Sequence, residues 1–218
     1  MIYIVGAGPG ASEYMTPEAA RVISEASVVI SGGRLLETVA IAGGARRIEL
    51  PASGMADAVI EILERESRSP DVVLLVSGDP GFYSLARRVI EYFGREKIRV
   101  IPGISSLQLM ASRIGRPWSN VATVTLHGRD LPEISELRYK LSSSPALALL
   151  LGDRDYAPGH MRWLASDAEM GNAWAALGCD LGLPEERVFD APSLRALIDV
   201  QHVGRLSLLW LEAGRGEI

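Results

Sequence analysis

Gly78-Asp79-Pro80-Gly81 puts one carboxylate in a corner between two readable segments. Before it runs the unbroken apolar stretch Val72-Val73-Leu74-Leu75-Val76, and after it an amphipathic stretch that ends at Gly94. A strand, a glycine-proline corner and a helix in that order set the carboxylate at a strand's carboxyl end, where open α/β sheets bind ligands. Gly6-Ala7-Gly8-Pro9-Gly10 follows the strand pattern Ile2–Val5 in the same way, and Pro102-Gly103-Ile104-Ser105-Ser106 follows Ile98–Ile101. Three such corners predict one ligand site lined mostly by backbone. An Asp before Pro is also an ordinary turn former, because its side chain bonds its own backbone. The second glycine at Gly81 is not required by that reading, so Asp79 is expected to serve a ligand. Ser105 is expected at least to cap the next helix.

The first corner also satisfies the looser dinucleotide fingerprint, Gly6-x-Gly8-x-x-Ala11. That fingerprint needs a helix that begins inside the glycine loop, so that its amides meet a pyrophosphate. Here Ser12-Glu13-Tyr14-Met15 separate the glycines from the helix start, Thr16 as N-cap and Pro17 at the first helical position. The second strand ends Val29-Ile30-Ser31-Gly32-Gly33, with no acid to hold a ribose. A nicotinamide-dependent oxidoreductase is therefore the weaker reading.

His127 stands at a strand end beside Gly128, where an imidazole can orient a substrate or accept a proton. A lone histidine is more often packed or capping. His160 falls in a predicted helix and His202 in a predicted loop, and neither forms a metal-ligand spacing with the single cysteine, Cys179. No protein metal site is expected. Arg113, Arg116, Arg129 and Arg154 lie in the segments around the expected cleft; solvation is their default role, but guanidinium pairs bidentately with any carboxylates a substrate carries. No serine or cysteine triad and no Walker lysine loop is present.

The elements that must position these groups alternate between strand-length apolar runs and helix-length amphipathic ones, the α/β signature. Strands are expected at 2–6, 28–31, 72–76 and 98–101, with helices from Thr16-Pro17 and over 55–66. Gly115-Arg116-Pro117-Trp118 ends a helix and blocks its resumption, and the domain boundary is placed there, giving domains 1–115 and 116–218. In the second half, strands are expected at 121–126, 147–151, 174–177 and 206–211, with a helix near 158–165. Residues 171–182 fit neither period. The expected architecture is two α/β domains with a ligand cleft between them.

Bulk properties exclude several classes. Across 218 residues, 48% are hydrophobic and 22% charged, as in ordinary globular proteins. The net charge of -5 argues against broad nucleic-acid binding. No apolar run reaches membrane-span length, no signal peptide is expected, and one cysteine fits a reducing compartment, so a cytoplasmic location is expected.

These corners, in this order, resemble the tetrapyrrole methylase family, whose hallmarks are a Gly-x-Gly-x-Gly first loop, a Gly-Asp-Pro corner and a Pro-Gly-x-Ser-Ser corner. Gly115-Arg116-Pro117-Trp118, Leu126-His127-Gly128-Arg129, Leu150-Leu151-Gly152-Asp153-Arg154 and Leu181–Val188 resemble its C5-methylating branch in cobalamin biosynthesis. The resemblance implies methyl transfer from S-adenosyl-L-methionine to C5 of a reduced cobalt-corrinoid precursor. It implies that Pro9, Gly78, Asp79, Phe82, Ser105, Ser106 and Leu151 line the cofactor pocket. His127 is the candidate for orienting substrate or taking the proton, and Arg116 and Arg129 for binding its acid side chains. It also implies a homodimer, and a separate enzyme for C15 methylation and decarboxylation. Gly178-Cys179-Asp180 departs from the Ala-Glu-Asn usual in the family. The rival readings are another ring position, the oxidoreductase, and a non-catalytic binding module.

Overall fold

The structure, a computed structural model, describes residues 1–127, 130–152, 155–198 and 204–214. The chain divides into two compact units, Met1–Ser105 and Ser106–Ile218.

The first unit is a five-stranded sheet in the order β3-β2-β4-β1-β5, with every neighbouring pair parallel. Its strands are β1 (Ile2–Gly6), β2 (Val28–Ser31), β3 (Arg46–Glu49), β4 (Val72–Val76) and β5 (Ile98–Ile101). The helices are α1 (Pro17–Glu25), α2 (Gly33–Thr38), α3 (Met55–Arg65) and α4 (Ala86–Phe93). Ile2, Ile4, Val72 and Leu74 face α3 and α4, whereas Val5, Val29, Val73 and Leu75 face α1 and α2. Both faces are covered, so β2 and β4 read as unbroken apolar runs rather than alternating ones. Thr16 caps α1 as expected, its Oγ1 accepting from Ala19 N at 3.1 Å, and α4 stops at Gly94, whose φ is 80°. The charged strand β3 carried no apolar run and was not expected; it is one of the sheet's two edges, the partly exposed β5 being the other. From β1 the chain crosses to β2 on one side, and from β4 it crosses to β5 on the other. The carboxyl ends of β1 and β4 therefore flank a topological switch point.

The second unit begins with α5 (Ser106–Arg113) and continues through β6 (Ala122–Thr125), α6 (Ile134–Ser143), β7 (Leu147–Gly152), α7 (Ala157–Ser166) and α8 (Ala168–Asn172). It ends with β8 (Trp174–Cys179), β9 (Arg187–Ala191), α9 (Leu194–Leu197) and β10 (Ser207–Glu212). The sheet order is β6-β7-β10-β8-β9; only β6 and β7 pair in parallel. Helix α5 contacts β10, and Met110 lies so close to Gly178 that a Cβ there would sit 2.7 Å from its sulfur. The helix therefore belongs with the second sheet, and the division falls at its start. The expected boundary at 115–116 put it at the end instead. Gly115 (φ 63°) does end the helix, as its corner implied. Residues 171–182 resisted reading because β8 is an interior strand with nearly every residue buried, which removes any alternation.

Candidate active site

The three glycine corners of the first unit meet at one point. A Cβ on Gly6 would lie 2.6 Å from the Gly78 carbonyl oxygen, 2.8 Å from Gly103 N and 2.8 Å from Pro80 Cδ. A Cβ on Gly103 would overlap the same Gly78 oxygen and reach Gly6 at 3.0 Å. Glycine is needed at Gly6 and Gly103 because backbone must pass over backbone, and at Gly78 because its φ is 69°.

Ala7 N donates to Val76 O at 2.8 Å, Gly78 N to Gly8 O at 2.8 Å, and Gly8 N to Gly78 O at 3.2 Å. The amides that a dinucleotide fold would turn toward a pyrophosphate are engaged across the switch point. Residues 6–16, 77–85 and 102–105 also contain no lysine or arginine. Arg34 reaches the second corner from α2, donating to Ser77 Oγ at 3.1 Å, but a pyrophosphate would find no free amides at Ala7 and Gly8, and the oxidoreductase reading is not supported.

Asp79 accepts from Gly81 N at 2.7 Å through one carboxylate oxygen and from Gly103 N at 3.0 Å through the other. Pro9 is buried, Gly78 and Phe82 are half-buried, and Phe82 meets Tyr83 edge to face at 4.9 Å between centroids. Ser105 is buried just before α5, and Ser106 is the helix's half-buried first residue. Pro9, Gly78, Asp79, Phe82 and Ser105 thus come from the corners of the first unit, while Ser106 opens the second.

The remaining candidates lie in the second unit. His127 is exposed at the end of β6, its ring against the backbone of Gly152 at the end of β7. Leu151 is sealed in the core at 0% exposure, and its carbonyl accepts from His160 Nδ1 at 2.7 Å. A ligand contact at Leu151 would therefore be made by main chain. His160 was set aside in the sequence; no spacing links it to Leu151, and the contact arises only when α7 folds back on β7. A carbonyl can only accept, so Nδ1 is the donor in this bond. Tyr156 stacks on the same ring at 6.4 Å.

Arg116 is paired within its own unit. Its Nε donates to Glu212 Oε1 at 3.0 Å, and its guanidinium sits 5.2 Å from the centre of the Trp174 ring. Trp210 Nε1 donates to the same oxygen at 3.1 Å. Arg113 pairs with Glu186, whose other contact is the Gly182 amide at 2.6 Å. Burial raises the Glu186 pKa, but the hydrogen bonds from Arg113 and Gly182 outweigh it, leaving the carboxyl below its ordinary range. Arg129, Arg154 and His202 lie outside the described residues. In the departing segment, Asp180 (φ 48°) turns the chain and accepts from Leu206 N at 3.1 Å, so the change in sequence makes a braced turn. Among the described residues no group of three or more His, Cys, Asp and Glu side chains is placed to hold a metal ion, and no helix is long and apolar enough to cross a membrane.

Comparison with known proteins gives this arrangement its class. The chain matches the profile of the tetrapyrrole (corrin/porphyrin) methylases over residues 1–196 and belongs to that family. It is 34% identical over 129 residues to the cobalt-precorrin-7 C(5)-methyltransferase of Salmonella typhimurium; the aligned part is 59% of this chain and 62% of that protein. Among solved structures, the methyltransferase CobJ superposes with a TM-score of 0.80 at 20% identity, covering 99% of this chain and 96% of the other. A uroporphyrin-III C-methyltransferase from Thermus thermophilus, solved in complex with S-adenosylhomocysteine, superposes with a TM-score of 0.73 at 24% identity, covering 97% and 91%. At those identities the superpositions establish the shared fold.

Proposed function

We propose that this chain is an S-adenosyl-L-methionine-dependent C-methyltransferase acting on C5 of cobalt-precorrin-7, a reduced cobalt-corrinoid precursor in cobalamin biosynthesis. The observation that carries it is the convergence of the three glycine corners on the Gly78 carbonyl. Family membership and the likeness to the Salmonella enzyme supply the substrate class.

The residues fit the cofactor. Backbone, the buried Pro9 and the half-buried Phe82 offer a neutral surface for an adenosine. Gly78, Asp79, Ser105 and Ser106 complete the proposed set, with Leu151 through its main chain. The cofactor supplies an electrophilic methyl on a good neutral leaving group. The protein's share is then to hold the acceptor carbon in line and to manage one proton. Alignment of this kind is worth roughly 7–11 kcal/mol of barrier, which explains why so few conventional catalytic side chains are present. His127, exposed at the end of β6, is the proposed group that orients substrate or accepts the proton lost from C5's neighbourhood. Arg129 is the proposed partner of a substrate carboxylate, and Arg116 can join it only in competition with Glu212.

The branch resemblance further supports a homodimer, and the expected location is cytoplasmic. Calorimetric titration tests the core of the reading. S-adenosylhomocysteine is expected to bind saturably in the micromolar range and NADH not at all. If neither binds to a sample that melts cooperatively, the proposal fails. The ring position is tested by transfer of a 13C-methyl group to cobalt-precorrin-7, with C5 as the expected site.

A further inference from the structure

We infer that His160 is a positioning residue: through the main chain at the end of β7 it fixes the surface against which His127 packs, an inference that rests on the role proposed above for His127. The starting point is an irregularity in the second sheet. On β10, Leu208 faces Leu150 but Ser207 faces Gly152, so the register shifts by one residue and passes over Leu151. On the other side, the register with β6 ends at Thr125 and Leu150. Leu151 is therefore the extra residue of a bulge, which takes it out of the ladder. It is also fully buried, and a buried acceptor left without a donor costs about 1–3 kcal/mol. His160 supplies the donor, its Nδ1 lying 2.7 Å from the Leu151 oxygen.

Packing of α7 delivers the imidazole to that carbonyl. Ala157, Met161 and Leu164 follow the spacing of one helix face and are buried in the same core cluster as Leu149 and Leu151. His160 is one turn from both Ala157 and Leu164, so it sits at the edge of that face, half-buried. Tyr156, one turn earlier, stacks alongside its ring at 6.4 Å. The bond then governs the next residue. Leu151 O and Gly152 N belong to one rigid peptide plane, so a carbonyl free to turn would swing Gly152 with it. Gly152 leaves the strand at φ 90°, and a Cβ on it would lie 3.0 Å from His127 Nδ1. His127 is exposed at the end of β6, and Gly152 is the surface that limits its ring.

Spectroscopy and turnover test this separately. In wild-type protein in alkaline solution, where imidazoles are neutral, 15N spectra should find the His160 proton on Nδ1; a proton on Nε2 instead overturns the inference. A nuclear Overhauser contact between a His127 ring proton and the Gly152 α protons should be present in wild type. It should weaken in His160→Leu, which fills space without a donor, and return in His160→Asn, whose amide nitrogen falls near the place of Nδ1. Its persistence in His160→Leu would mean that the bond positions nothing. In turnover, His160→Leu should lower kcat roughly five- to ten-fold with the Kd for S-adenosylhomocysteine within about two-fold of wild type, and His160→Asn should recover most of the loss. Added to His127→Ala, His160→Leu should cost nothing further, because it acts through the group already removed. Equal losses in the Leu and Asn variants, or additive losses in the double variant, would overturn the positioning role. If His127→Ala keeps full turnover, the role proposed for His127 fails, and the Overhauser contact alone decides whether His160 sets the place of its ring.

Discussion

His127 packs its imidazole against Gly152: a Cβ on that glycine would lie 3.0 Å from His127 Nδ1. The ends of two neighbouring parallel strands thereby set where the ring can go. If His127 handles the proton, His127→Ala should lower kcat by roughly a hundred-fold or more while the Kd for S-adenosylhomocysteine stays unchanged. Gly152→Ala, strained by φ 90° and crowding the ring, should lose about 1–2 kcal/mol of stability and part of the turnover. Intact turnover in His127→Ala would end the catalytic assignment.

Gly103→Ala should be the most damaging small substitution among the corners. Its Cβ meets backbone on both sides, so relief requires a shift of the main chain, costing about 2–3 kcal/mol and S-adenosylhomocysteine binding with it. Gly43→Ala and Gly44→Ala have nothing within 4 Å of the added carbon and serve as controls with thermal midpoints near wild type. Differential scanning calorimetry of the three variants checks the contrast.

Arg116 and Arg129 should separate by which quantity each one moves. Glu212 is largely buried and takes both Arg116 and Trp210, so Arg116→Gln leaves a carboxylate with a weakened partner. Since Arg116 itself is partly exposed, a loss of about 1–2 kcal/mol is expected, read as a lower thermal midpoint. Arg129→Gln should leave the midpoint in place and raise the apparent KM for substrate without changing cofactor affinity. An unchanged KM would remove Arg129 from the substrate site.

The Arg113–Glu186 pair makes stability depend on pH in a defined direction. The folded-state pKa of Glu186 is depressed, so its stabilisation is present above the unfolded value and is lost as pH falls through the folded one. Urea titrations from neutral pH down through the acid range should show wild type losing stability faster than Glu186→Gln. Parallel curves for the two proteins would mean that the pair contributes nothing.

Cys179 should be silent in the native state. It is fully buried, and burial leads the effects that push its thiol pKa up, with the neighbouring Asp180 charge adding to it. A thiol reagent should label it only at the rate of unfolding, and rapid labelling of folded protein would contradict the packing of β8.

Much of this was legible along the chain. The strands β2 and β4 appear at the expected bounds because a strand buried on both faces reads as a nearly continuous apolar run; β1 and the edge strand β5, half-exposed at Arg99 and Val100, also match their expected bounds. Thr16 and Pro17 likewise announce α1, since a cap is a local interaction. Strand β3, Arg46–Glu49, was not legible, because an exposed edge strand needs no apolar run and is defined only by pairing with β2. Helix α2 was missed for a related reason: six residues are too few to show a period.

The chemistry divides along the same line. Local sequence determined that three glycine corners follow three strands, that the first is too far from its helix to hold a pyrophosphate, and that one carboxylate sits among them; that the third strand is a partly exposed edge was not legible. Only the tertiary structure decided that β4 and β1 lie side by side, so that the Gly8 and Gly78 amides engage each other and Asp79 reaches Gly103. It also decided that Arg116 is held by Glu212 and that Leu151 faces the core. Strand order and pairing depend on contacts between residues far apart in the chain, and a side chain's partner is whatever those contacts bring within about 3 Å, which no local spacing encodes.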